Sequence, residues 1–210
     1  MDINVTYAIT VCNEIKEITT LVNFLHPRVQ SSDEILIQYD SDGATKEVID
    51  YLKIIEQLHP NVNVINFPLN KDFASFKNNL KNHANGIFIF QIDADEVPNE
   101  YLITNMHDLL EANKDIDLFF VPRVNTVKGL TDTHIQKWRW NVNEKGWVNW
   151  PDLQTRIYRR TSEIEWEGKV HERIKGYNTL TILPQEEDFS IYHPKEIERQ
   201  EKQNELYDTI

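Results

Sequence analysis

The 210-residue chain holds a single cysteine, Cys12, which excludes an internal disulfide and a thiolate zinc cage. Cys12 lies in an apolar run and reads first as a buried structural thiol. Glycine is scarce at six residues, and none falls in "TVCNEIKE", where a Gly-rich phosphate loop would follow the first strand. No apolar run approaches the roughly 18 residues of a membrane-spanning helix. The N-terminal "MDINVTYAITVCNE" lacks the basic start and long apolar core of a signal peptide, so the expected location is cytoplasmic. Positive charge is also sparse: 22 Lys and Arg stand against 34 Asp and Glu, a net of −12. Extended nucleic-acid contact needs clustered positive charge and is not expected, although "RIYRR" (Arg156 to Arg160) is a local basic candidate.

What is present is an ordinary globular composition, 40% apolar and 10% aromatic, in a chain long enough for one substantial domain. No linker, repeat or low-complexity tract divides it. The first half alternates strand and helix. "NVTYAITVC" reads as a buried strand, and "EIKEITTLVNFLH" follows with helical spacing at Ile15, Ile18, Leu21, Val22 and Leu25. "DEILIQY", "NVNVINF" and "IFIFQID" are further strands, separated by helices over "SDGATKEVIDYLKIIEQL" and "DFASFKNNLKNHA". This rhythm predicts a mostly parallel α/β sheet with helices on both faces. The second half is more mixed: "NEYLITNMHDLLEANK" is helical, and "DLFFVPRVNTV", "QTRIYRR", "TLTIL" and "FSIY" are extended. The tail from Pro194 to Ile210 reads as a charged helix.

Ligands of such sheets sit outside the carboxyl ends of the strands. Asn13 and Glu14 follow strand one, Asp40 and Asp42 follow strand two, and Asp93, Asp95 and Glu96 follow strand four. Alternate residues of an extended segment share a side, so Asp93 and Asp95 point together past the small Ala94. Paired carboxylates at a strand end suit a hard divalent cation, Mg²⁺ or Mn²⁺, that keeps part of its shell for substrate phosphates and water. A cation-bridged diphosphate is a good leaving group. A solvated acidic turn before a helix is the plainer reading of the same residues. His171 and His193 supply imidazoles for a third metal ligand or a hydrogen bond to a diphosphate, or serve structure alone. All five tryptophans fall between Trp138 and Trp166. At least three are expected in the core, and the others can stack on a sugar.

The sequence resembles the inverting, GT-A-fold glycosyltransferases of family 2. "ITVCNE" is similar to the family's first strand ending in Asn-Glu, and "DEILIQYDSDGAT" to its second strand and turn. "NKDFASFKNNLKNHANGIFIFQIDADE" follows its helix, Gly-preceded strand and DxD motif in order. "WVNWPDLQTRIYRR", "WEGKVHERI" and "FSIYHP" resemble elements of a subgroup that adds sugars to the lipopolysaccharide core. The chain is short for that subgroup, whose extended C-terminal acceptor or membrane-associating region is expected to be missing.

The resemblance implies a GT-A domain over 1–210, with a nucleotide-sugar half at 1–98, an acceptor half at 99–193 and a C-terminal helix at 194–210. It implies a metal-dependent hexosyl transfer from a nucleotide-sugar, UDP by family prevalence, to a hydroxyl of a glycan or glycolipid. Asn13 and Glu14 lie on the donor side, Asp40 contacts the base with Asp42 assisting, and Lys77 faces the donor. Asp93 serves the ribose or the metal's shell, Asp95 binds the metal with His171 and His193 as further candidates, and Arg156 faces the donor. The general base is Asp152 first and Glu172 second, on the face opposite the leaving diphosphate. Asp42 also reads as a turn residue, Lys77 as an exposed helix lysine and Asp152 as a helix cap. A non-catalytic sugar-binding homologue and a nucleotidyltransferase are the competing functions. A protein side chain or a modified base stays open as acceptor.

Overall fold

The computed structural model describes residues 3–201. Its first half builds β1 (Val5–Val11), α1 (Ile15–Leu25), β2 (Glu34–Asp40), α2 (Lys46–Leu58), β3 (Val62–Phe67), α3 (Phe73–His83) and β4 (Phe88–Asp93). β5 (Val97–Pro98), α4 (Glu100–Thr104), α5 (Met106–Ala112), β6 (Leu118–Lys128), α6 (Asp132–Trp138) and β7 (Val148–Arg159) follow. β8 (Glu165–Glu167), β9 (Arg173–Lys175), β10 (Leu180–Ile182) and β11 (Ile191–Glu196) complete the strands.

One nine-stranded sheet takes strands from both halves in the order β3-β2-β1-β4-β7-β6-β11-β5, with β10 also on β6. β3, β2, β1 and β4 are mutually parallel, as the alternating rhythm predicts. β7 enters beside β4 antiparallel and pairs antiparallel with β6. The apolar β4 is therefore covered along both edges, which explains its run of buried residues. Alternate side chains feed two cores. Val5, Tyr7 and Ile9 join Ile18, Leu21, Val48, Leu52, Leu102 and Met106 on the face covered by α1, α2, α4 and α5. Ala8, Leu36 and Ile89 join Ala74, Leu80, Tyr158 and Trp166 on the face covered by α3. Gly86 is needed before β4 because a Cβ there would collide with the Thr6 amide and the Val5 carbonyl carbon.

Several expectations change. The tail does not begin its helix at Pro194: β11 runs through that proline, and helix starts at residue 197. β5 pairs only with Ile191 and Tyr192, so the missing N–H of Pro194 faces an edge without a described strand partner. The predicted helix beyond residue 201 lies outside the described residues. Of the five tryptophans only Trp147 and Trp166 are buried, not three, because Trp138 and Trp140 lie on a partly exposed excursion between β6 and β7 and Trp150 is partly exposed near the start of β7. The "RIYRR" patch is spent internally: Arg156 binds Asp93, Arg159 bonds the Lys114 carbonyl, and Arg160 bonds the Gly86 carbonyl. No described helix is long and apolar enough to cross a membrane.

Candidate active site

A cleft of about 670 Å³ opens at the carboxyl ends of β1, β2 and β4. Because β7 runs the opposite way, its first half lies at this same edge. Asp152, Gln154 and Arg156 all line the cleft at two-residue spacing, as do Arg123 and Asn125 on β6 and His193 and Lys195 on β11. The carboxyl edge of the parallel strands thus faces a wall built by the second half.

Asp93 closes β4. Its Oδ1 accepts from the Thr10 hydroxyl at 2.9 Å and its Oδ2 from Arg156 Nη2 at 2.7 Å. Lys77 Nζ stands 4.0 Å from Oδ1. Burial opposes the carboxylate's charge, but Arg156 and Lys77 outweigh it and hold the group far below the usual range. Glu96, 0% exposed, accepts at Oε1 from Arg156 at 2.5 Å and Arg123 at 3.1 Å, and at Oε2 from the Asp93 amide at 3.2 Å. Burial opposes the Arg156 charge too, and Asp93 and Glu96 overcome it.

Arg123 grips Asp152 Oδ2 through Nε at 2.9 Å and Nη2 at 2.6 Å, and Asn125 Nδ2 donates to the same oxygen at 2.8 Å. Gln154 Nε2 donates to Oδ1 at 2.7 Å. Burial opposes ionisation of Asp152, but Arg123 and these amides keep it below the ordinary carboxylate range. The chain of bonds continues. Since Asn125 donates to Asp152, its Oδ1 is the acceptor toward His193 Nδ1 at 2.8 Å, so that ring nitrogen carries the proton. His193 Nε2 then lies 3.5 Å from Asp95 Oδ2. In the neutral ring two acceptors face each other there, a disposition relieved by a proton or a cation. Burial opposes the Asp95 charge, while His193 and Arg199 lower its pKa overall.

The remaining candidates divide. Asp40 lines the cleft, its Oδ1 accepting from the Leu69 amide at 3.0 Å and the Asp42 amide at 3.2 Å. Glu14 also lines it, bonding Arg199 Nη2 at 3.0 Å. Asn13 and Asp42 are exposed and outside the cleft lining. Lys77 is only 6% exposed rather than a surface lysine. It reaches Glu172 Oε1 at 2.6 Å and lies 4.6 Å over the Trp166 ring. His171 and Glu172 sit on the loop between β8 and β9, held to α3 where the Phe73 amide donates to the Lys169 carbonyl at 3.0 Å. Asp152 lies within β7 and caps no helix. No cage of three or more His, Cys, Asp or Glu is formed among the described residues. Asp93 is already flanked by the Arg156 and Lys77 cations, which disfavour a metal ion beside it, whereas Asp95 and His193 converge.

Sequence reasoning missed Arg123, Asn125 and Arg199, and kept Glu96 only as one acid of a cluster. A signal existed for the first: "FFVPRVNTV" places a lone arginine in a buried strand, which demands a counter-ion.

The chain belongs to glycosyl transferase family 2, whose family model matches residues 6–178. No curated protein matches it by sequence. Among solved structures it is similar to S. aureus TarS 1-349 in complex with UDP-GlcNAc, with a TM-score of 0.59 and 15% identity over 93% of this chain. The UDP complex of the same fragment matches with a TM-score of 0.60 and 14% identity over 91%. The chain spans about 60% of that fragment and 37% of the longer TarS structure. At such identity the likeness is one of fold, and it agrees with the α/β, GT-A-type sheet described above.

Proposed function

We propose that the chain transfers a sugar from a nucleotide-diphosphate donor, UDP-linked in the first instance, to a hydroxyl of a glycan or glycolipid, with inversion. The observation that carries this reading is the line Asp152–Asn125–His193, hydrogen-bonded throughout and closed by the 3.5 Å approach of His193 Nε2 to Asp95, which joins an acceptor-side carboxylate to a donor-side one across a single cleft. Asp40 takes the base of the donor, and Asp93, fixed by Thr10 and Arg156, takes the ribose. Lys77 offsets phosphate charge, Arg156 holds the donor-side Asp93 in place, and His171 is assigned to the donor side. Asp95 and His193 Nε2 are the residues that hold Mn²⁺ or Mg²⁺. When bound, the cation neutralises charge developing on the leaving diphosphate.

Asp152 is the base, receiving the acceptor hydroxyl's proton. Its low pKa suits it to stay ionised between turnovers, and the proton moves late, as the oxygen becomes acidic. Glu172 is the counter-ion that aims Lys77. The test is calorimetric titration of UDP with and without Mn²⁺, on wild type and Asp95→Ala. Metal-dependent binding lost in the variant is the expected result. Equal metal-independent binding by both would overturn the cation assignment, and no UDP binding would overturn the donor.

A further inference from the structure

A second hollow of about 580 Å³ lies beyond the cleft, lined by Trp147 and Trp150 together with Asn143, Lys145, Gln185 and Glu186. A strand irregularity creates it. Arg123 faces Asp152, so regular antiparallel pairing would set Asn125 opposite Trp150; instead Asn125 faces Val148, and β7 carries two extra residues there. Bulges re-aim side chains. Val148 and Asn149 line the cleft, while Trp147 and Trp150, flanking them, line the hollow. The segment 147–150 is thus a wall shared by two binding spaces. Residues 141–149 fold back as a hairpin, with the Asn149 amide bonding the Asn141 carbonyl at 2.7 Å. Its tip is tied across the hollow by Lys145 Nζ to Glu187 Oε2 at 3.1 Å.

We propose that this hollow is a distal acceptor subsite for an uncharged saccharide, a reading that rests on the sugar-transferase function above and names its acceptor class. Lys145 Nζ lies 4.4 Å over the ring of the buried Trp147, so the partly exposed Trp150 is the indole that offers a face to the C–H side of a pyranose. Asn143, Gln185 and Glu186 surround the indoles with amide and carboxylate groups suited to hydroxyls. Glu144, Glu186 and Glu187 outnumber Lys145, so the rim repels a polyanion. Asp152 lies two residues along β7 from Trp150, at most about 7 Å of chain, roughly one sugar ring or a little more. An acceptor in the hollow therefore reaches the base only as an oligosaccharide.

The test is ¹⁹F NMR of the full chain carrying 5-fluorotryptophan, with Trp147 and Trp150 assigned by Phe substitution. Cellohexaose, maltohexaose, chitohexaose and an oligogalacturonate hexamer are titrated. At least one neutral hexasaccharide is expected to shift Trp150, and the hexauronate none. Trp150→Ala should weaken that binding roughly three- to tenfold, and Gln185→Ala, on the opposite side of the hollow, should weaken it without touching the tryptophans. UDP affinity should be unchanged in both variants. No response of Trp147 or Trp150 to any neutral hexasaccharide, or an equal response to the hexauronate, overturns the subsite. UDP binding with a silent hollow refutes the subsite alone. Saccharide binding without UDP binding refutes the donor reading and leaves the subsite standing.

Discussion

Replacing Glu96 by Gln tests whether one buried carboxylate organises the cleft. The side chain is fully enclosed, and its Oε1 is shared by Arg156 and Arg123 while its Oε2 accepts from the Asp93 amide. Glutamine matches the shape but has one acceptor oxygen where the carboxylate has two. Either its NH₂ faces two guanidiniums, or it faces the Asp93 N–H. In both orientations the buried Arg156 and the partly buried Arg123 also lose a shared negative charge. Removing one partner of a buried ion pair costs about 3–5 kcal/mol, because the other charge is left uncompensated. A domain of this size has about 5–15 kcal/mol in total. At about 2–4 °C per kcal/mol, the melting temperature should fall by roughly 6–20 °C. Urea denaturation followed by tryptophan fluorescence gives the free energy directly. A loss under about 1 kcal/mol, the scale of one ordinary hydrogen bond, would refute the view that Glu96 compensates both arginines. Glu96→Asp, shorter but charged, should recover part of the loss.

Asp152→Asn should cut kcat about 10²- to 10⁴-fold while UDP affinity stays within about twofold; Glu172→Gln should act mainly through donor binding, and a larger kcat loss in Glu172→Gln would exchange the two roles. Asn125→Leu removes the acceptor that fixes the His193 proton on Nδ1, so Mn²⁺ affinity should drop about 10- to 100-fold, read by titrating the metal in the presence of UDP. The folded-state pKa of Asp93 is depressed, so its stabilising contribution is fully present above its unfolded value of about 3.9 and is lost as pH falls below it. The stability gap between wild type and Asp93→Asn should therefore shrink below about pH 4; a gap constant down to pH 2 would contradict the ion-pair account.

The parallel half was legible because its signals are periodic and local. Alternation of buried runs with amphipathic helices placed β1 to β4, and strand ends then gathered Asp40, Asp93 and Asp95 at one edge. The opposite wall was not legible in the same way. Nothing in "WPDLQTRIYRR" states which strands it will lie between, and its antiparallel entry is what carries Asp152 to the cleft. Lys77 was open between surface and site because helix α3 is weakly amphipathic around it. Its burial follows from Trp166 and Glu172, which arrive from nearly a hundred residues later. Glu96 reads as a solvated acid after a strand, and only the distant Arg123 and Arg156 make it an interior residue.

The sharing of Glu96 between two guanidiniums bears on how such enzymes can be recombined. A chimera joined after residue 98 would inherit Asp93, Asp95 and Glu96 from one parent and Arg123, Asp152 and Arg156 from the other. A seam at residue 98 runs through a charge hub, so swapping the segments on either side of it breaks the hub unless both arginines travel with the carboxylates. A single buried carboxylate thus ties the two parts of the sequence into one electrostatic unit that recombination at residue 98 cannot separate cleanly.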